Sequence, residues 1–369
     1  MPRPALGLML VVIAACGAAT STTDAAPSAL RVVGRQFVDE TGRVYIPRWV
    51  SGLTLLVRTP EQQAAYLDWA QRTGFNGVRV FAGALTWADQ TPDGARAALP
   101  ALLDRAAARG LVVEVTALTD TGTGYDAHAH LRAVVAMLAG RRGVLLELAN
   151  EVGHHTQAPS LTPARLRAWG TELATPRGVL WAIGAADDPI RAGDYTTVHL
   201  DRGPPFWTQV ARVREIGALA DTFGAPVINN EPTGADERPG RETGRQRWDD
   251  PAGFFALGVL DRAFHIGGVH HSQAGLMAEL PGPVQQQCAD AYVAGHRAVE
   301  RVLAERRGEF LGVGPAAYAF VAGTRGVLVG LGLTGDAGPA RPPGWRQVGV
   351  VATMTARDGS RVDVVEIAR

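Results

Sequence analysis

Two runs of the chain read as buried strands that each end in a glutamate: Val144-Leu145-Leu146-Glu147-Leu148-Ala149-Asn150-Glu151 and Pro226-Val227-Ile228-Asn229-Asn230-Glu231. Side chains alternate along a strand, so Glu147, Ala149 and Glu151 share one face of the first run, and Val227, Asn229 and Glu231 share one face of the second. If both strands stand in one barrel, Glu151 and Glu231 point into the same small volume at its carboxyl end, where barrel enzymes keep their chemistry. Two carboxyls so placed suit the cleavage of an acetal. One protonates the leaving oxygen while the other attacks the anomeric carbon, which is the arrangement glycoside hydrolysis needs.

Such glutamates need a rigid frame, and beyond residue 30 the chain alternates strand-like and helix-like segments regularly enough to supply one. Residues 30–38 and 44–50 flank Asp39-Glu40-Thr41-Gly42, a hairpin signal, and the second arm runs into a first barrel strand near 48–55. Helices are expected over 60–72, 95–109, 128–139, 163–174, 207–222, 251–264 and 284–306, with strands over 76–81, 111–118, 144–151, 179–185, 195–200, 226–231 and 266–271 between them. That makes eight strands, and the fifth crossover, around 187–194, is too short for a full helix. After Arg306 the sequence turns β-branched and glycine-rich, and 327–333, 347–355 and 361–367 read as antiparallel strands. The fold class expected is therefore α/β: a (β/α)8 TIM barrel over 30–306, with an N-terminal β-hairpin and a small C-terminal β-rich segment over 307–369.

The first 16 residues carry Arg3, an apolar stretch over 5–15 and then Cys16, the pattern of an export signal too short to span a bilayer. Ile13-Ala14-Ala15-Cys16 resembles the lipobox of bacterial lipoproteins, so Cys16 is the expected lipidation site, 17–29 a linker, and the outer face of a bacterial membrane the expected location. An ordinary cleaved signal with an incidental cysteine, and hence a secreted protein, is the alternative. Cys288 would then be the remaining thiol, which leaves no intrachain disulfide. With 36 basic and 36 acidic residues, scattered and not massed, the chain has no field for nucleic acid. All of the basic residues are arginine, which removes Schiff-base lysine chemistry from consideration.

Gly74-Phe75-Asn76-Gly77-Val78-Arg79, Glu147-Leu148-Ala149-Asn150-Glu151 and Asn230-Glu231-Pro232, on strands two, four and seven, together resemble the cellulase-like glycoside hydrolases of clan A, family 5 among them. The resemblance spans roughly 32–306. It implies that Glu151 is the general acid/base, Glu231 the nucleophile, Asn150 a donor to the sugar 2-hydroxyl, and Arg79 a partner that keeps the nucleophile ionised. Physical chemistry supports this division, because a guanidinium favours a charged neighbour while an apolar or anionic surround keeps a proton on a general acid. Buried salt-bridging with Arg79 is the bland alternative, and mid-strand Glu147 and Glu114 fit it better than the two terminal glutamates. Members of the clan place His-x-Tyr after strand six and Trp after strand eight. This chain has His199-Leu200-Asp201 and His270-His271-Ser272-Gln273 instead, without the tyrosine and the tryptophan.

His154-His155, His270-His271 and His128-Ala129-His130 raise a metal-dependent hydrolase as a rival. An H-x-H ligand pair would have to end a strand, whereas this one opens a helix. No metal or other cofactor is therefore expected, and His199 and His271 are read as polar contacts to substrate or carboxylates. Trp87, Trp181, Trp207 and Trp248 fall at strand ends or in loops where a flat ring can face a sugar, with Trp87 and Trp181 the candidates for substrate binding. The polar loop bearing Asp236, Glu237, Arg238 and Arg241 is either plain solvated chain or a selector of substrate. The expectation is thus a retaining O-glycosyl hydrolase acting on a β-linked oligo- or polysaccharide and meeting the membrane only through its lipid. A non-catalytic glycan-binding lipoprotein on the same barrel is the alternative, although a degenerate site would be expected to lose a carboxylate first.

Overall fold

The computed structural model describes residues 29–184, 190–199, 206–231, 250–314, 316–335 and 338–369. Cys16, the signal that ends there, and the loop with Asp236, Glu237, Arg238, Arg241 and Trp248 lie outside the described residues.

Three short antiparallel strands come first: β1 (Arg31–Val33), β2 (Gln36–Val38) and β3 (Val44–Tyr45). The expected hairpin is present between β2 and β3, where the Asp39 carboxylate accepts from the Thr41 and Arg43 N–H groups at 2.8 and 2.9 Å. A second turn at Gly34, with φ of +56°, folds one more strand onto it. This sheet lies against one end of the barrel, and Phe37 packs edge-on to Tyr195 with ring centroids 5.6 Å apart.

Eight parallel strands follow: β4 (Arg48–Ser51), β5 (Gly77–Phe81), β6 (Val112–Leu118), β7 (Val144–Ala149), β8 (Trp181–Ala182), β9 (Thr196–His199), β10 (Val227–Glu231) and β11 (Gly267–His270). Their order, β8-β7-β6-β5-β4-β11-β10-β9, pairs the first barrel strand with the last. The (β/α)8 barrel is nearly closed. Its seam lies at β8, whose outer edge is satisfied by Asp194: the Trp181 N–H donates to Asp194 Oδ2 at 3.0 Å and the Asp194 N–H to Trp181 O at 2.8 Å. No helix lies between β8 and β9 among the described residues.

The helices are α1 (Pro60–Thr73), α2 (Pro92–Ala107), α3 (Ala127–Leu138), α4 (Pro163–Leu173), α5 (Phe206–Ala211), α6 (Val213–Phe223), α7 (Pro251–Phe264), α8 (Gln273–Met277) and α9 (Pro283–Leu303). Thr59, Thr91, Thr162 and Asp250 cap α1, α2, α4 and α7 with their side chains, and each is followed by proline at the first helical position. The single helix expected over 207–222 is two, because the chain tightens at Arg212, whose N–H is shared between Thr208 O and Gln209 O at 3.1 Å each. No helix of the described residues is long and apolar enough to cross a membrane.

The chain ends in a five-stranded antiparallel sheet: β12 (Glu309–Gly314), β13 (Ala317–Ala322), β14 (Arg325–Leu333), β15 (Arg346–Thr355) and β16 (Arg361–Ala368), in the order β12-β13-β14-β16-β15. Tyr318, Phe320, Val327, Val329, Val362 and Val364 join the main core, and Phe320 meets Phe264 of α7 at 4.8 Å between ring centroids. The turn before β16 also touches the barrel: the Arg357 N–H donates to the Asp250 carboxylate at 3.0 Å, and Trp207 Nε1–H to Ser360 Oγ at 3.1 Å.

Inside the barrel the inward side chains form layers. Trp49, Val112, Leu145, Ala182, Tyr195, Ile228 and Val269 make an apolar floor. Gly77 points inward beneath the Trp49 indole, and a Cβ there would lie 2.4 Å from the ring. Above the floor the next inward residues are polar and buried: Ser51, Arg79, Glu114, Glu147, Thr197 and Asn230.

Candidate active site

The polar layer is organised by Arg79. Its Nε and Nη2 donate to Glu147 Oε2 at 3.2 and 2.7 Å, its Nη1 to Glu231 Oε1 at 2.9 Å, and its Nη2 also to Asn150 Oδ1 at 2.9 Å. Glu147 accepts further bonds from Thr116 Oγ1 at 2.6 Å and Asn230 Nδ2 at 2.8 Å. Glu114 accepts from the Tyr195 hydroxyl at 3.0 Å and stands 3.6 Å from Arg79 Nε. Arg79 is 0 % exposed, so it acts on a substrate only through the side chains it holds, Glu231 and Asn150.

The charges within this layer sort by surroundings. Burial pushes the Glu147 carboxyl up, but Arg79, His199 and the Thr116 hydroxyl together hold it below the ordinary carboxylate value. Glu114 goes the other way: burial and the neighbouring Glu147 charge push it up to about 8, against Arg79, Tyr195 and Asn230. Burial works against the charge on Arg79, yet Glu147, Glu231 and Glu114 raise its pKa further.

Glu151 lies just past the end of β7 with φ of +47°, left-handed backbone that a non-glycine residue adopts at a cost of about 1–3 kcal/mol. A turn closed by the His154 N–H to Glu151 O at 2.9 Å holds it there. Glu231 arrives by a different device, and here the expected face of the strand is corrected. Ile228 and Asn230 point into the barrel, while Val227 packs in the outer core. Glu231 turns inward as well because the register against β9 slips between Asn229 and Glu231, a β-bulge that re-aims the last residue.

The two glutamates converge. One oxygen of Glu151, one of Glu231 and one nitrogen of His199 all lie within 4.8 Å of one another. His199 Nδ1 is 3.2 Å from Glu151 Oε1 and 3.7 Å from Glu231 Oε2. The Glu151 side chain is 25 % exposed and that of Glu231 8 %, so Glu151 is the one that faces solvent. Burial is the largest influence and raises the Glu151 carboxyl, as does the Glu231 charge, but the His199 hydrogen bond together with the charges of His199 and His154 brings it below the ordinary value. These three groups are the described residues that could share a cation. Arg79 already donates to Glu231, and its charge opposes a second cation there.

The remaining candidates separate clearly. His271 sits at the end of β11 with Nδ1 2.7 Å from Ser51 Oγ, and at 2 % exposed it belongs to the barrel wall. Trp87, half exposed, stands beyond β5 on a turn whose Thr86 N–H and hydroxyl donate to Asp120 Oδ2 at 3.0 Å each. Trp181 is no sugar platform. On β8 it points outward beside Leu146, its ring packs against Gly170 of α4, and its Nε1–H donates to Thr175 Oγ1 at 3.1 Å. Trp207 is turned toward Ser360. His154 and His155 pack on each other with centroids 4.0 Å apart, and His270 lies in the outer core between Phe75 and Phe254. Sequence reading missed Tyr195 and Thr116 and put Asn230 on the wrong face. Counting back by twos from His199 along β9 would have found Tyr195.

No family model matches the chain, and no curated protein matches it in sequence. Solved structures match it in shape. A glycoside hydrolase family 5 protein from Bacteroides vulgatus aligns with TM-score 0.67 at 13 % identity, over 93 % of this chain and 94 % of its own. A structure described as a glycoside hydrolase aligns with TM-score 0.68 at 12 % identity over 93 % and 98 %. What the chain shares with these structures is the fold. A family 5 mannosidase from Rhizomucor miehei aligns with TM-score 0.54 at 12 % identity, covering 73 % of this chain and 99 % of its own. The first two matches extend beyond the barrel.

Proposed function

We propose that the protein is a retaining glycoside hydrolase acting on a β-linked glycan, with Glu231 as nucleophile and Glu151 as general acid/base. The observation that carries this reading is the approach of the Glu151 and Glu231 oxygens to within 4.8 Å at the carboxyl end of the barrel. Retaining enzymes hold their carboxyls about 5–5.5 Å apart, and inverting ones about 6.5–9.5 Å to admit a water.

In the first step Glu231 attacks the anomeric carbon, the glycosidic C–O bond breaks, and Glu151 gives its proton to the departing oxygen. In the second step Glu151 takes a proton from water, the resulting oxygen attacks the anomeric carbon, and Glu231 is released. Arg79 steadies the carboxylate of Glu231 before and after the ester forms. The Asn150 carbonyl is held by Arg79, so its amide N–H groups are the ones that face a sugar hydroxyl. The charge of Glu231 raises the Glu151 carboxyl in the free enzyme; once Glu231 is esterified that influence is gone, and Glu151 becomes the base the second step needs. Export with Cys16 as a lipid anchor belongs to the same proposal, and loss of lipid labelling in Cys16→Ala checks it.

The test is hydrolysis of a panel of β-linked oligosaccharides and aryl β-glycosides, β-mannosides included, by the parent, Glu151→Gln and Glu231→Gln. Loss of about 10²–10⁴-fold in Glu151→Gln, relieved when the leaving group needs no proton, together with no turnover in Glu231→Gln, is the expected result. Glycan binding without turnover by any form would support the binding-protein reading, and activity lost to EDTA and restored by zinc a metallohydrolase.

A further inference from the structure

We propose that Asn230 and Glu147 form a strut beneath the two glutamates and are the positioning residues that set their separation. The inference rests on the two-glutamate reading. Asn230 Nδ2 donates to Glu147 Oε1 at 2.8 Å, and both residues are 0 % exposed. Glu147 stands on β7 below Glu151, and Asn230 on β10 directly before Glu231. These two strands are not neighbours in the sheet, so the bond crosses the barrel. It ties the strand of the acid/base to the strand of the nucleophile without an intervening residue.

Both ends of the strut are held. Arg79 Nε and Nη2 and the Thr116 hydroxyl all donate to Oε2 of Glu147, which leaves Oε1 for Asn230 and prevents the carboxylate from swinging. Asn230 lies within the bulge that turns Glu231 inward. Only an amide N–H can face the carboxylate, and with the side chain so oriented Asn230 Oδ1 is buried without a partner among the described residues. A residue that merely filled space would carry no such cost, so the amide is present for its donor. Arg79 braces the same two sides from β5, donating to Glu147 and Asn150 and to Glu231, whereas the Asn230–Glu147 bond joins β10 to β7 directly.

Asn230→Ala is expected to lower kcat by about 10²-fold while KM stays within about threefold, as misplacement of reacting groups by about 1 Å does. Asn230→Asp alone sets two carboxylates face to face. Adding Glu147→Gln gives the new carboxylate a donor and reverses the polarity of the strut, so the double variant should recover most of the kcat lost in Asn230→Asp. Losses that simply add in the double variant would overturn the strut. So would a crystal structure of Asn230→Ala in which the Glu151 to Glu231 separation equals the parent's. A parent without glycosidase activity overturns the hydrolytic reading instead, and the measured separation still decides the strut.

Discussion

His199 places its Nδ1 3.2 Å from Oε1 of Glu151 and 3.7 Å from Oε2 of Glu231, so one imidazole edge serves both carboxyls. This contact has a signed consequence for catalysis. Burial and the Glu231 charge push Glu151 up, but the His199 hydrogen bond and charge, with a smaller share from His154, bring it below the ordinary carboxylate value. A general acid acts only while protonated, and the basic limb of kcat/KM follows its deprotonation in the free enzyme. His199→Phe removes the stabiliser of the ionised form, so Glu151 rises and the basic limb moves to higher pH. The pH profile of kcat/KM on an aryl glycoside reads this directly; a limb that stays in place or moves down would show that His199 does not control the proton.

Trp87 is 50 % exposed on a turn pinned by Asp120, and its neighbour Ala88 packs on the apolar cluster of Leu53, Phe81 and Leu85. An exposed indole on a turn so held offers a flat face to sugar C–H surface without ordering a loop first. Trp87→Ala should raise KM for an oligosaccharide by about tenfold, the equivalent of about 1.4 kcal/mol. The loss should grow with the number of sugar units until the subsite is filled. Equal losses on short and long substrates would place the stacking site elsewhere.

Much of this architecture is legible in the residues because local and global signals agree. Thr59-Pro60, Thr162-Pro163 and Asp250-Pro251 mark helix starts by a mechanism that needs no tertiary context, and the same signal at Thr91-Pro92 starts α2 three residues before the expected 95. The two glutamates stand out because a carboxylate at the end of an apolar run has no reason to be there as packing. Three features resisted. The inward turn of Glu231 depends on a bulge, which strict alternation excludes. The outward aim of Trp181 depends on a two-residue strand whose phase is too short to fix from composition. Strand β12 escaped notice because Gly312 and Gly314 interrupt its β pattern just before Pro315, and β13, its pairing partner, escaped with it.

Glu114 provides a test of the buried layer that does not depend on any substrate. In the folded protein its carboxyl is pushed up to about 8 by burial and the Glu147 charge, from an ordinary value of 4.5. Between those limits the folded chain holds a proton that the unfolded chain has released, so stability falls as pH rises through that window and levels off above it. At about 1.4 kcal/mol per unit, the contribution is on the order of a few kcal/mol once coupling to Glu147 is allowed for. Glu114→Gln keeps the neutral shape and an acceptor for the Tyr195 hydroxyl but has nothing to ionise. The variant should therefore gain on the parent steadily from pH 5 to pH 8, with little further change by pH 9, in urea midpoints measured at each pH. A gap that is constant, or that closes as pH rises, would mean that Glu114 is already ionised beside Arg79 in the native barrel.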